Sequence, residues 1–327
     1  HFIGKINGLR IELDYSKTNL DTDIKSLKKA ARSGAKKELK QRIKNVIKDI
    51  ENLKLQDDCK IIWQKKKIAE LKPGKNYLNP IIKLIIDDTL DESEYDELKN
   101  NIEGWLIKQK HTYLKDLLSI ENTEFKNPLC RGLSYQLFEN NGVLKREFSN
   151  EIIKSLSQNE RFELRKKGIK IGKYHIYQPR MIRPNAVKFK TILWKCFNNI
   201  HNLNYPNFGI NFAKNFKNKN ESFLRICGFE TFGKYIIRID ILERLFVQII
   251  NSDTKDMKEI KMIPEMLNLL GCNKEDFKQL LKAMSYKILE KNNEVFFKYI
   301  PKKRAKFQNK ENIKENPFGI LKNLNLN

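Results

Sequence analysis

Residues 263–301 read IPEMLNLLGCNKEDFKQLLKAMSYKILEKNNEVFFKYIP. Pro264 suits the first position of a helix, where its missing N–H costs nothing. Met266, Leu267, Leu269 and Leu270 give that short helix an apolar face, and Gly271 ends it. Asn273 is a good N-cap for a second helix, with Glu275 and Asp276 in the first turn, where the macrodipole favours negative charge. Phe277, Leu280, Leu281 and Met284 recur at helical spacing and form one buried stripe. Tyr286 to Leu289 and Val295 to Tyr299 then read as two strands around a polar turn at Lys291, Asn292 and Asn293.

Helix, tight turn, helix and hairpin is the plan of a winged helix, a fold that binds nucleic acid or protein and does not itself settle which. The plan recurs, as a weak repeat, in residues 149–179, SNEIIKSLSQNERFELRKKGIKIGKYHIYQP. Ser149 is positioned to cap a short helix. Ser157 caps a second, with Glu160 completing a capping box. Phe162 takes the place of Phe277, Gly168 stops the helix, and Ile169 to Ile171 and Tyr174 to Tyr177 flank a Gly172-Lys173 turn.

The chain has 327 residues, room for two or three modules and ample core. Its 64 Lys and Arg against 40 Asp and Glu give a formal charge of +24. Such an excess favours an anionic partner, nucleic acid first and an anionic membrane second. A Lys-, Asn- and Ile-rich composition of the kind AT-rich genomes produce is the competing source of the charge. Cys59, Cys130, Cys196, Cys227 and Cys272 are scattered, never spaced as CxxC, and fit a reducing cytoplasm better than a disulfide or zinc framework. No apolar run approaches about 18 residues, so no membrane span is expected. The sequence begins at His1, directly in a strand-like stretch, and reads as a fragment.

Residues 2–14 (FIGKINGLRIELD) alternate around Asn7-Gly8, a hairpin signal. Residues 21–53 form a helical region whose apolar face carries Ala31, Ala35, Leu39, Ile43, Val46, Ile47 and Ile50. Its other face is rich in Lys and Arg, and Glu38 is the one acid between Arg32 and Lys48. Residues 60–71 read as a second hairpin with Lys65 to Lys67 at its turn, and 80–86 as another strand. A helix from Ser93 to Leu118 buries Tyr95, Leu98, Ile102, Trp105, Leu106, Leu114 and Leu117. Residues 121–128 read as a linker and 129–140 as a helix. In residues 180–200, Phe189, Ile192, Leu193, Cys196 and Phe197 form the expected buried stripe, with Arg183, Lys188, Lys190 and Lys195 outside. Residues 201–220 read as an irregular loop, 235–239 as a strand, 241–250 as a helix and 302–327 as a basic, disordered tail. The expected fold is thus α+β and mostly helical. A helical region with small hairpins (1–127) precedes one winged-helix-like module and its following helix (128–200), a second such module (201–301), and the tail.

Chemistry is sparse. No Gly-rich loop ending GK[ST] is present to cradle phosphates and hold Mg²⁺. The acids Asp87, Asp88, Asp91 and Glu92 sit at a helix start, where they offset the dipole. His1, His111, His175 and His201 have no metal-ligand spacing. Cys272 lies near a helix N-terminus but without a base, so a structural thiol is the reading. Binding remains. Arg161, Arg165, Lys166, Lys167, Lys170 and Lys173 run from the second helix of the earlier unit into its hairpin, and Arg180 and Arg183 follow. Lys274, Lys278, Lys282 and Lys287 lie on the later unit, away from Phe277 and Leu281. Exposed cations on a recognition helix and wing are what phosphate contacts require. Tyr174, His175 and Tyr177 are stacking candidates if they do not turn into the module's own core.

Four segments carry a family resemblance. They are FIGKINGLRIELD (2–14), GIKIGKYHIYQPRMIRPNAVKFKTILW (168–194), GFETFGKYIIRIDILERL (228–245) and MLNLLGCNKEDFKQLLKAMSYK (266–287). In this order they resemble the region after the motor domains of alphaproteobacterial superfamily 2 helicases, relatives of the mitochondrial degradosome RNA helicase. Arg180-Met181 departs from an apolar pair in that family, and Ser285 stands where Gly is common. The resemblance implies an accessory nucleic-acid-binding region, RNA favoured over DNA, guiding strands to RecA-like domains of the same protein. ATP and Mg²⁺ would belong to those domains; no cofactor is expected in this chain, which alone should be inactive. A ribonuclease is a further partner the resemblance implies. The alternative from the residues is an interaction module that docks a nuclease or ribosomal partner.

Overall fold

Asn7 and Gly8 turn the chain between β1 (Gly4–Asn7) and β2 (Arg10–Leu13), and Leu9 bridges in parallel to Ile86. The computed structural model describes residues 4–13, 36, 38–86, 91–121, 123–200, 202–214, 216, 220–252, 259–292 and 294–300. The expectations for residues 21–35 and for the tail 302–327 lie outside these. Helix α1 (residues 38–48) buries Leu39, Ile43 and Val46, the apolar face its spacing announces. Then β3 (Lys54–Leu55), β4 (Lys60–Trp63), β5 (Lys66–Lys72) and β6 (Ile81–Leu84) form an antiparallel sheet in sequence order. Gln64 and Lys65 make the tight β4–β5 turn with φ of 45° and 64°, matching the right-handed twist of the flanking strands. The expected single helix 93–118 is two, α2 (Glu92–Tyr113) and α3 (Lys115–Glu121), with buried Leu114 at the break.

Three units with one sheet plan follow. The first has α4 (Pro128–Glu139), β7 (Val143–Lys145), α5 (Asn150–Ser155), α6 (Gln158–Lys166), β8 (Lys170–Ile171) and β9 (His175–Tyr177), with strand order β7-β9-β8. The second has α7 (Pro184–Asn198), β10 (Phe212–Lys214), α8 (Glu221–Ile226), β11 (Phe229–Phe232) and β12 (Tyr235–Arg238), ordered β10-β12-β11. The third has α9 (Ile239–Asn251), β13 (Ile260–Lys261), α10 (Pro264–Leu270), α11 (Lys274–Ala283), β14 (Tyr286–Lys291) and β15 (Glu294–Tyr299), ordered β13-β15-β14. In each, the last strand lies between its hairpin partner and a strand that precedes the helices. The first and third have the winged-helix order. The second keeps the sheet but has one helix where the others have two. It occupies much of residues 201–220, expected to be irregular, where β10 instead pairs with β12.

The third unit forms as its residues imply. Asn273 accepts the Asp276 amide at 2.7 Å, Gly271 closes α10 at φ 72°, and Phe277, Leu280 and Leu281 are fully buried. Burial of each such side chain contributes roughly 1.5–3 kcal/mol. The Ser157–Glu160 capping box is present on α6. Ser149, expected to cap α5, instead donates its hydroxyl to Gln136 at 2.6 Å.

Two packing expectations fail. Phe162 does not replace Phe277: it is 52% exposed, and Leu164 fills the core of α6. On α7, Phe197 is exposed, whereas Lys190 and Lys195 are buried. This helix lies between two cores. Phe189, Ile192, Leu193 and Cys196 join a cluster that runs from Ile6 to Cys196, continuous across residue 127. Val187 and Trp194 join a second cluster with Phe223, Phe229 and Ile236. A helix covered on both faces must bury part of its polar side too. The Lys190 ammonium donates to the Asn141 carbonyl at 3.0 Å, and Lys195 lies over the Tyr205 and Phe223 rings.

Candidate nucleic-acid interface

The sequence places Arg161 and Arg165 on α6 and Lys170 and Lys173 on the hairpin that follows. The fold brings all four to one cleft of about 530 Å³, whose far wall is Phe246, Val247 and Ile250 of α9. Arg146, from the 3-10 turn after β7, completes five cations around it. Val247 and Ile250 are exposed, and the Lys173 ammonium stands 5.3 Å from the Phe246 ring centre.

Glu243 of α9 is the one acid lining this cleft, and the fold has already consumed it. Its carboxylate accepts the backbone N–H groups of Lys173, Tyr174 and His175 at 2.5, 2.9 and 2.8 Å. Successive amides at a turn form a natural anion cradle. Here an internal side chain fills it and ties the first unit's hairpin to the third unit. Glycine at 172 lets the carboxylate approach this closely, since a Cβ there would overlap it unless the Glu243 side chain shifted. Behind the turn, His175 Nε2 lies 2.7 Å from Glu230 of β11, and Lys145 pairs with the other Glu230 oxygen at 3.0 Å. Burial opposes charge on His175, but Glu230 and Glu243 outweigh it and hold the imidazole above its ordinary pKa. Burial likewise opposes charge on Glu230, and His175 overcomes it, holding that carboxyl below its usual range. These ion pairs join all three units.

The stacking candidates are therefore taken. His175 is 1% exposed and Tyr177 is buried. Tyr174 packs edge-on against Phe232 and Phe246. Of the cations, Arg161 also serves the fold, donating to the carbonyls of Leu156 and Ile153. Arg165, Lys167, Lys170 and Lys173 are exposed and make no ion pair among the described residues. Lys166 is exposed, with its ammonium over the Phe162 ring.

The remaining sequence-predicted residues lie elsewhere. Arg180 and Arg183 line a separate groove, Arg180 with Asp116 at 3.2 Å. On the third unit, Lys278 is mostly covered and held by Glu275 at 3.2 Å and Glu290 at 2.6 Å. Lys274, Lys282 and Lys287 are exposed. The first two lie close enough to Glu290 to lower its pKa, after the larger effect of Lys278. The fold thus divides the predicted cations into a concentrated, uncompensated group on the first unit and a partly neutralised group on the third. The cations at and just before α1 are partly accounted for as well: Lys36 and Lys40 each reach Asp91, the residue that precedes α2, at 2.9 Å. Lys40 and Lys36 hold the Asp91 carboxyl down to about 2.

Arg146, Phe246 and Glu243 were not legible as site residues, because each reaches the cleft from a distant element. Among the described residues no group of His, Cys, Asp and Glu is arranged to hold a metal ion. Cys272 is half-buried, and burial pushes its thiol up to about 11, the behaviour of a structural cysteine. No helix among the described residues is long and apolar enough to cross a membrane. Comparison of the chain with family models, curated proteins and solved structures finds no match.

Proposed function

We propose that this chain is an accessory nucleic-acid-binding region of an ATP-dependent superfamily 2 helicase, acting on RNA in the cytoplasm. The observation that carries the reading is the α6–β8–β9–α9 cleft, where five cations face one acid already bound by three amides. A surface of this kind has no internal counter-charge left, and a phosphate backbone is the polyanion that supplies one. The apolar wall of Phe246, Val247 and Ile250 offers sugar and base contacts beside it.

The resemblance supports the helicase part of the reading. Its four segments fall on the β1–β2 hairpin, on β8 to α7, on β11 to α9 and on α10 to β14. They thus include both the wing that carries Lys170 and Lys173 and the helix that carries Glu243. ATP and Mg²⁺ would be bound by RecA-like domains, and this region would hold the strand that those domains move. Fluorescence anisotropy of a labelled single-stranded RNA tests the reading. The chain should bind at low salt, and Arg165→Glu with Lys170→Glu should weaken binding at least tenfold. Undiminished binding by that variant would move the interface elsewhere.

A further inference from the structure

The largest cleft among the described pockets, about 760 Å³, lies away from the α6–α9 cleft, between the β3 edge, α2 and α7. Its wall includes Trp105, Tyr113 and Phe189, with the Tyr113 and Phe189 rings 5.4 Å apart. Trp105 is 5% exposed, and its indole N–H has no acceptor among the described residues. Amide side chains of Gln109 and Asn185 lie at the same cleft.

This cleft adjoins the groove of about 480 Å³ that holds Arg180 and Arg183, the two sharing Tyr113 and Asn185 as wall residues. The groove also contains Lys115 and the start of α7. That helix begins Arg183-Pro184, with neither a side-chain cap nor an acid in its first turn. The amides of Asn185 and Ala186 are left without intrahelical acceptors. Asp116 offsets part of the charge of Arg180, while Arg183 and Lys115 have no acid partner among the described residues. A cationic groove thus adjoins an aromatic cleft.

We infer that the groove and cleft together bind one unpaired nucleotide of a single strand. Its phosphate lies over the α7 start between Arg180 and Arg183, and its base enters the cleft beside Tyr113, against the wall that includes Trp105. A base paired in a duplex has its edge occupied and its faces stacked, so the site selects single strands. The inference rests on the nucleic-acid reading above and adds a second subsite, which shares no lining residue with the α6–α9 cleft.

The test uses the intact chain with Trp63→Phe and Trp194→Phe, which leaves Trp105 as the one tryptophan. Anisotropy of a labelled oligouridylate and Trp105 emission are followed in the same titration. The site predicts that Trp105 emission changes with the midpoint of the anisotropy curve, and that Arg183→Glu weakens binding several-fold and abolishes the emission change. Should the double variant misfold, photo-crosslinking of the unaltered chain to a 4-thiouridine oligonucleotide answers the same question, with adducts expected on residues 105–113 or 185–189. Binding by anisotropy with silent Trp105 emission, or adducts confined to the α6–α9 cleft, overturns this subsite and leaves the first interface standing. Absence of binding at low salt overturns both.

Discussion

At the scale of single residues, buried charge makes stability depend on pH in opposing ways. His175 has a folded pKa above its ordinary 6.5, so its contribution is complete below that value and is lost as the pH rises through the folded one. Glu230 has a folded pKa below 4.5, so its contribution is present above 4.5 and is lost as the pH falls. Lys190 acts in the other direction from His175. Burial lowers its pKa to about 7 from 10.5, so between these values the unfolded chain holds a proton that the folded chain lacks, and stability rises with pH. Urea midpoints of Lys190→Met should be higher than wild type at pH 6 and should lose the rise above pH 7; an unaltered pH profile would contradict the buried placement. Helical spacing on α7 could not show this lysine as buried, because a periodicity reading assumes one covered face and α7 has two. Ser285 was legible as a departure from a common Gly, and its φ of 69° gives the reason that Gly suits the position. Ser285→Gly relieves left-handed strain at some entropic cost and should stabilise the chain by up to about 1 kcal/mol in denaturant titrations.

Elements with strong local signals formed where their residues placed them. Asn273 and the Ser157–Glu160 box set helix ends through side chain to backbone bonds, Pro264 through its fixed φ and Gly271 through its left-handed φ, all within a few residues. Ser157→Ala should therefore cost about 1 kcal/mol, read as a lower thermal or urea midpoint, and retained stability would show that packing alone holds α6. The second unit was not legible for the converse reason. Its α8 has six residues and β10 has three, too short for either periodicity to show, and both form because the sheet and the core around Phe223 complete them. The Glu243 cradle was equally hidden, since its three donors lie about seventy positions earlier in the chain. Glu243→Ala would leave those amides without their acceptor and open space beside Gly172. It should cost about 2–4 kcal/mol and increase hydrogen exchange at Lys173 to His175, a pattern that loss of α9 packing alone would not produce.

At the scale of the whole molecule, three sheet-centred units are joined through buried ion pairs and share one strongly cationic chain. The composition made an anionic partner the leading expectation, and the fold shows where cations remain uncompensated: the α6–α9 cleft far more than the third unit, where Glu275 and Glu290 hold Lys278. A charge of +24 spread as solvated lysine would bind polyanions weakly and without a preferred surface. A concentrated site releases counterions from a defined set of phosphates. The most direct measurement is the salt dependence of single-stranded RNA binding, by anisotropy, for wild type and for the Arg165→Glu, Lys170→Glu variant. The account predicts a log–log slope of several units for wild type, at about 0.7 per phosphate contacted, and a slope lower by about one to two units for the variant. A shallow slope, or one that the variant leaves unchanged, would contradict it.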